Sequence, residues 1–316
     1  MSEPLDGSPD FIYALAGRAG GPIFAARASG LYRSEDGGRT WQDAFAPLVS
    51  GGSRLAASSV VLSPDFEHDR QVFAGVSGGV VRSSDGGKTW RSAVFPPPAP
   101  VVVALAVSPN FSQDDTLFAG TAEDGVFIST DGGFSWAAWN FGLLDANLLC
   151  LAISPDFARD ETLYAGATTG LFVSTNGGLA WREVDLPADM PAVLSLAIAP
   201  GPDGRGLVFA GTEEHGLWRG SAVPGSSALH WEQVGTGLVE AVNAICPAPD
   251  FSRSLELLVL HGSQVAWSQD GGMNFAAWPR AGLEADSAVI ALAAPGGFGP
   301  NKAVVVGGID GKIRVC

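Results

Sequence analysis

The chain has 316 residues, with 18 Lys and Arg against 33 Asp and Glu, and a formal charge of −15. That balance opposes the counterion release that drives nucleic-acid binding and repels anionic membrane surfaces, so basic, neutral or cationic partners are expected, with no nucleic acid and no membrane. Residues 1–10 show no basic-then-apolar leader, and no run reaches the ~18 apolar residues of a membrane span, which predicts a soluble cytoplasmic protein, or an exported one if a signal peptide was removed.

Taken in order, the chain repeats one unit. Residues 148–153 form an apolar run, Ser154-Pro155-Asp156-Phe157 opens a loop, and 162–167 and 170–174 are further runs. A Gly-rich turn then leads to a short segment at 181–184. Turn signals at this density predict antiparallel meanders without crossover helices. The units cover 11–46, 55–95, 101–139, 148–184, 193–234, 241–278 and 288–316. Seven four-stranded antiparallel units predict an all-β fold, a seven-bladed β-propeller forming one domain over 1–316, because radial repetition leaves only short edges.

The turn between third and fourth strands carries the repeat. Ser83-Ser84-Asp85-Gly86-Gly87-Lys88-Thr89-Trp90 recurs as Ser34 to Trp41, Ser129 to Trp136, Ser174 to Trp181 and Ser268 to Phe275. Asp36, Asp85, Asp131, Asn176 and Asp270 stand 49, 46, 45 and 94 residues apart, the last gap being two units. The acid can accept the turn's own amides, the glycines supply positive φ, and Trp41, Trp90, Trp136 and Trp181 can bury flat surface between blades. Asn176 keeps the acceptor. These spacings predict a structural role for the box residues.

Unit five lacks the box: a loop from Gly220 to His230 is expected, closed by Trp231. Unit seven stops after three strands, so its fourth is missing or comes from Ser2 to Gly7, where Pro4 and Pro9 restrict a strand.

The repeated Ser-x-Asp-Gly-Gly-x-Thr-Trp box resembles the Asp-box, or bacterial neuraminidase repeat, of sialidases, plant-polysaccharide hydrolases, sortilin-type receptors and photosystem II assembly factors. The resemblance covers nearly the whole chain. It implies a propeller whose boxes lie away from the ligand-binding face. A sialidase would also present an Arg-Ile-Pro motif and a Tyr nucleophile paired with an acid. Here Arg-Ile-Pro is absent, and Tyr13, Tyr32 and Tyr164 fall within strand pattern. The arginine-rich patch of the assembly factors has no counterpart in the sequence.

A second motif, Ser63-Pro64-Asp65-Phe66, returns at Ser108, Ser154 and, as Ala248-Pro249-Asp250-Phe251, in unit six. It reads as a turn pinned by Phe; Asp65 and Asp69 lack the further oxygen ligands of a calcium loop. Cys150, Cys246 and Cys316 show no metal or disulfide spacing, and the first two align with small residues of a strand face. No cofactor or metal site is signalled.

Function is expected on the face opposite the boxes, where turns and inter-blade links differ between units. Glu123, Asp124, Glu213, Glu214 and Asp310 lie in second-to-third-strand turns there, His215 beside two of them. Trp139 and Trp278 follow the box aromatic in units three and six, to stack on a ligand if exposed or to fill space between blades if buried. Without a nucleophile–base pair or phosphate loop, the reading is a non-catalytic monomeric scaffold docking a protein or peptide. A glycoside hydrolase with a carbohydrate substrate, or a small-ligand or metal site formed by converging acids, is the alternative.

Overall fold

The structure is a computed structural model that describes residues 10–48, 54–186, 192–202, 204–222, 229–278, 289–298 and 302–316. It forms seven antiparallel sheets arranged as a β-propeller, six with four strands in sequence order and the seventh with three among the described residues. Blade 2 shows the pattern, from innermost to outermost: Ala57–Leu62, Val72–Val76, Gly79–Ser83 and Arg91–Ser92. Blades 1, 3, 4 and 6 repeat it, with innermost strands Ile12–Gly17, Val102–Val107, Leu148–Ile153 and Val242–Pro247. Neighbouring blades meet through these innermost strands.

Second strands are apolar on both faces because each sheet is sandwiched between two blades. Phe24, Phe73, Phe118 and Phe209 occupy one place there and are fully buried. Two positions further along, Gly75 faces Ser59 and Val102: a Cβ would lie 2.4 Å from Ser59 Oγ and 2.7 Å from Val102 Cγ1. At this position in blade 2 a side chain would press on the neighbouring innermost strand, and glycine avoids the contact. Every innermost strand also carries a one-residue bulge, at Tyr13 in blade 1 and Ser58 in blade 2. Cys150 and Cys246 sit on these strands as free thiols, and burial raises the Cys246 thiol to about 11.

The box turns are hydrogen-bonded inward. Asp85 Oδ1 accepts from Ser83 Oγ and from the amides of Lys88 and Thr89, and Oδ2 accepts from Thr89 Oγ1 at 2.7 Å. Ser83 Oγ in turn accepts the Gly87 amide at 2.8 Å. Burial opposes ionisation of Asp85, but these donors outweigh it and hold the carboxyl at about 2. In blade 4, Asn176 Oδ1 still accepts the Ala180 amide at 3.0 Å.

The Ser-Pro-Asp-Phe segment is not a plain loop: it contains a single helical turn, Phe66–Asp69 in blade 2, Phe111–Asp114 in blade 3, Phe157–Asp160 in blade 4 and Phe251–Ser254 in blade 6. Asp69, Asp114 and Asp160 accept from Ser63, Ser108 and Ser154 and from backbone amides, so these acids close the turn on itself. Each turn ends on a left-handed residue: Arg70, Asp115, Glu161 and Leu255, with φ of 47–55°. That conformation is costly for a branched residue such as Leu255. The carbonyls of these four residues accept the first glycine amide of the same blade's box, from Gly86, Gly132, Gly177 and Gly271, at 2.9–3.0 Å. Motif and box therefore occupy one face and hold each other.

The second box glycine faces the preceding blade. A Cβ on Gly87 (φ 84°) would lie 2.5 Å from the Phe24 ring, and Gly133, Gly178 and Gly272 face Phe73, Phe118 and Phe209 in the same way. Links cover the box aromatics: Phe45 meets Trp90 edge-on at 5.3 Å, and Phe95 stacks on Trp136 at 5.2 Å.

Blade 5 departs from the sequence reading. Without a box, its outer hairpin lengthens: Leu217–Ala222 pairs with Leu229–Val234, so Gly220, Ser221 and His230 are strand residues and Trp231 stands opposite Gly220. The rest of the expected loop, 223–228, lies outside the described residues. Among the described residues, blade 7 has Val289–Ala293, Val305–Gly308 and Ile313–Val315. Ser2 to Gly7, the candidate fourth strand, also lies outside the described residues.

Candidate functional site

On the face opposite the boxes, the second-to-third-strand turns fall into two kinds. Blades 1, 2, 4 and 6 use tight turns in which Arg27, Val76, Ala167 and His261 pair directly with Gly30, Gly79, Gly170 and Gln264. Blades 3, 5 and 7 use wider ones, closed by amide-to-carbonyl bonds from Thr121 to Gly125, Thr212 to Gly216 and Gly308 to Lys312, each 3.0 Å. All the acids singled out from sequence stand on these wide turns.

The first two wide turns share one construction. Thr121 Oγ1 donates to Gly125 O and accepts the Asp124 amide; Thr212 Oγ1 donates to Gly216 O and accepts the His215 amide. Asn140 braces one turn by donating to Asp124 O, and Gln233 the other by donating to His215 O, both at 2.9 Å. Backbone and threonine thus fix each turn without using its acids. Glu123, Asp124, Glu213 and Glu214 are exposed, and their carboxylates make no hydrogen bond or ion pair among the described residues. His215 is partly buried, with Nδ1 unpartnered.

Asp310 differs. It accepts the Lys312 amide at 3.0 Å and Arg314 Nη2 at 2.9 Å; burial opposes ionisation, but these donors keep the carboxyl below its ordinary value. The acids stand on three different, non-adjacent blades, and among the described residues no group of three His, Cys, Asp or Glu could hold a metal. The converging-acid metal site is therefore not formed.

Trp278 is 9% exposed and packs edge-on against Trp267 at 5.5 Å. Trp139 is partly buried against the blade 3–4 core, and its carbonyl accepts Trp181 Nε1 at 3.0 Å. Both rings fill space between blades, which removes Trp278 as an exposed stacking surface.

One acid on this face was missed from sequence. Asp145, 6% exposed in the link between blades 3 and 4, accepts from the amides of Asn147 and Thr169, from Asn147 Nδ2, and from the hydroxyls of Thr168 and Thr169. Burial opposes its charge, yet five donors bring its carboxyl down to about 2. Asp10 has a similar place before blade 1, accepting from Arg27 Nη1, Ser29 Oγ and the Ser29 amide. The local signal for Asp145 is the Asp-x-Asn spacing; its threonine partners lie 23 and 24 residues away.

A cavity of about 800 Å³ opens at the other, box-bearing end of the axis, among the ends of innermost strands. Leu15, Val61, Val107, Ile245 and Cys246 line its wall, with Arg18, Glu67 and Lys302 at its rim. Burial depresses the Arg18 guanidinium, against the pull of Asp69 and Glu67.

No protein-family model and no curated protein matches the chain. Its fold is similar to that of solved structures. The extracellular domain of a hybrid two component system from B. thetaiotaomicron matches at 14% identity and TM-score 0.68, over 99% of this chain and 38% of that one. YCF48 from Cyanidioschyzon merolae matches at 14% identity and TM-score 0.67 over 99% and 96%, and YCF48 bound to D1 peptide at 15% and 0.69 over 98% and 93%. An ancestral GH74 enzyme matches at 18% identity and TM-score 0.68, over 98% of this chain and 45% of that one. The chain thus spans less than half the length of the first and last of these. At such identities the likeness shows a shared seven-bladed fold, and no helix among the described residues is long and apolar enough to cross a membrane.

Proposed function

We propose that the chain is a non-catalytic scaffold, one propeller domain that docks a protein or peptide on the face opposite the boxes, and that the docked segment is basic. One observation carries this reading: Glu123, Asp124, Glu213 and Glu214 are displayed on turns held by other groups, with no partner for their carboxylates among the described residues. Pre-organised, unpaired charge costs little to bind and steers an oppositely charged partner. The fold's likeness to YCF48 bound to D1 peptide adds that a propeller of this shape can carry a peptide. The box acids, already saturated by their own turns, act structurally.

Fluorescence anisotropy with a Lys/Arg-rich decapeptide and an acidic decapeptide tests the reading. The basic peptide is expected to bind and to weaken with salt, and neutralising all four acids together to Gln or Asn is expected to cost ~10-fold in affinity. Equal binding of both peptides, or no effect of neutralisation, overturns it. The GH74 likeness supports a glycoside hydrolase as the second reading, and turnover in a glycan screen would replace the scaffold with it.

A further inference from the structure

At the junction of blades 1 and 2, a turn closed by the Leu48 amide on Phe45 O at 2.8 Å sets the Phe45 ring edge-on against Trp90. The link from blade 5 to blade 6 makes the same turn, from the Leu238 amide to Gly235 O at 2.8 Å, but there Gly235 stands in the place of Phe45. The box aromatic it meets is Phe275, where blades 2, 3 and 4 have Trp90, Trp136 and Trp181. Both members of the aromatic pair are thus reduced at one junction. The Phe275 ring lies directly on Gly235, where a Cβ would be 2.7 Å from its Cδ2. It is only partly buried, whereas those three tryptophans are 5–7% exposed.

Beside the Phe275 ring is a cavity of about 320 Å³, lined by Gly235, Thr236, Leu238, His261, Met273 and Phe275. That volume falls within the ~300–1,000 Å³ of small-ligand pockets. Thr236 is exposed and Met273 is 44% exposed, so the cavity opens to solvent. Leu238, Phe275 and the Met273 thioether offer surface on which an aromatic ring packs well. His261 adds a polar contact: its Nδ1 is buried with no hydrogen-bond partner among the described residues, and burial favours the neutral imidazole against the pull of Glu240. Left as an acceptor, this nitrogen suits an N–H or O–H carried on the edge of an aromatic ring.

The cavity adjoins the acidic face. The link that lines it packs on the wide turn of blade 5, since a Cβ on Gly216 would lie 2.4 Å from Leu238 O, and that turn carries Glu213 and Glu214. Glu240 lies close against Gly262 in the tight turn of blade 6, and its carboxylate has no partner among the described residues. We propose that the blade 5–6 cavity takes a tryptophan or tyrosine side chain of the docked basic segment, so that the partner is read as an aromatic residue flanked by Lys or Arg. This assignment rests on the peptide-docking reading above. The incoming ring restores an aromatic pair of the kind that the chain supplies for itself as Phe45 with Trp90 and Phe95 with Trp136. Charge then steers the segment while the buried ring anchors it.

Fluorescence anisotropy with two labelled Lys/Arg-rich decapeptides, identical but for Trp or Ala at the centre, tests this assignment. The Trp peptide is expected to bind ~10-fold more tightly. Thr236→Trp, on the exposed rim, and Phe275→Trp, which restores the box residue, are each expected to fill the cavity and bring the Trp peptide to the affinity of the Ala peptide. Equal affinity of the two peptides for the unaltered chain, or a Trp advantage that survives in both variants, overturns the proposal. If neither peptide binds, the docking reading fails by itself, and saturation-transfer NMR with N-acetyltryptophanamide decides the cavity: transfer that is lost in Thr236→Trp upholds it as an aromatic site, and no transfer overturns it.

Discussion

On the box face, the carboxylates of Asp36, Asp85, Asp131 and Asp270 each accept three or four hydrogen bonds from their own turn, whereas on the opposite face those of Glu123, Asp124, Glu213 and Glu214 accept none among the described residues. Both sets are acids on strand-connecting turns. They differ in who satisfies the backbone. In a box the carboxylate itself collects the amides, so its charge is spent inside the turn. In a wide turn Thr121 or Thr212 does that job, and the acids remain available to solvent. Asp145 shows that the contrast follows from bonding and not from which face a residue occupies: it lies opposite the boxes, yet takes five donors.

Substitutions can break or sharpen this contrast. The largest loss is expected from Gly87→Ala, which adds both positive-φ strain and a clash with Phe24; thermal or urea unfolding should show ~3 kcal/mol or more. Asp145→Ala strands buried donors and is expected to cost ~2–3 kcal/mol. Its charge also predicts a pH signature. The folded carboxyl titrates near 2, below its ordinary 3.8, so its contribution is complete above about 4 and is lost as pH falls through 2. Asp145→Asn should flatten the acid limb of a stability–pH curve in that window. Asp85→Asn is expected to cost only ~1 kcal/mol, because the amide retains the acceptor as Asn176 does while losing charge. Smallest of all, neutralising Glu123, Asp124, Glu213 and Glu214 is expected to change stability by less than ~0.5 kcal/mol per site. A large loss there would show that these acids are structural after all.

The blades were legible from sequence because the box repeats its residues in register, and four-strand units follow from its spacing. The role of the second motif was not. Its bond to the box passes through the carbonyls of Arg70, Asp115, Glu161 and Leu255, a position defined by backbone angle and shared by no side-chain chemistry. Blade 5 was misread because Gly220 looks like a turn residue, whereas it is a strand residue that leaves room for Trp231. The wide-turn acids could be found as departures from symmetry, but their lack of partners could not, since that depends on Thr121 and Thr212 closing the turns. Asp145 was hidden because most of its donors come from the next blade's hairpin.

The glycine-to-phenylalanine contact between each box and the blade before it bears on how the chain reaches its ring. Gly87, Gly133 and Gly178 reach back to Phe24, Phe73 and Phe118, the blade just synthesised. Order can therefore spread from any starting blade by adding neighbours, as in repeat proteins with nearest-neighbour coupling. The seam is the exception. Arg27 reaches Gly311 across 284 residues, and Ile12 packs where a Cβ on Gly307 would stand. Contacts of such sequence separation carry the largest loop-closure cost, so ring closure is expected to come after the nearest-neighbour contacts form.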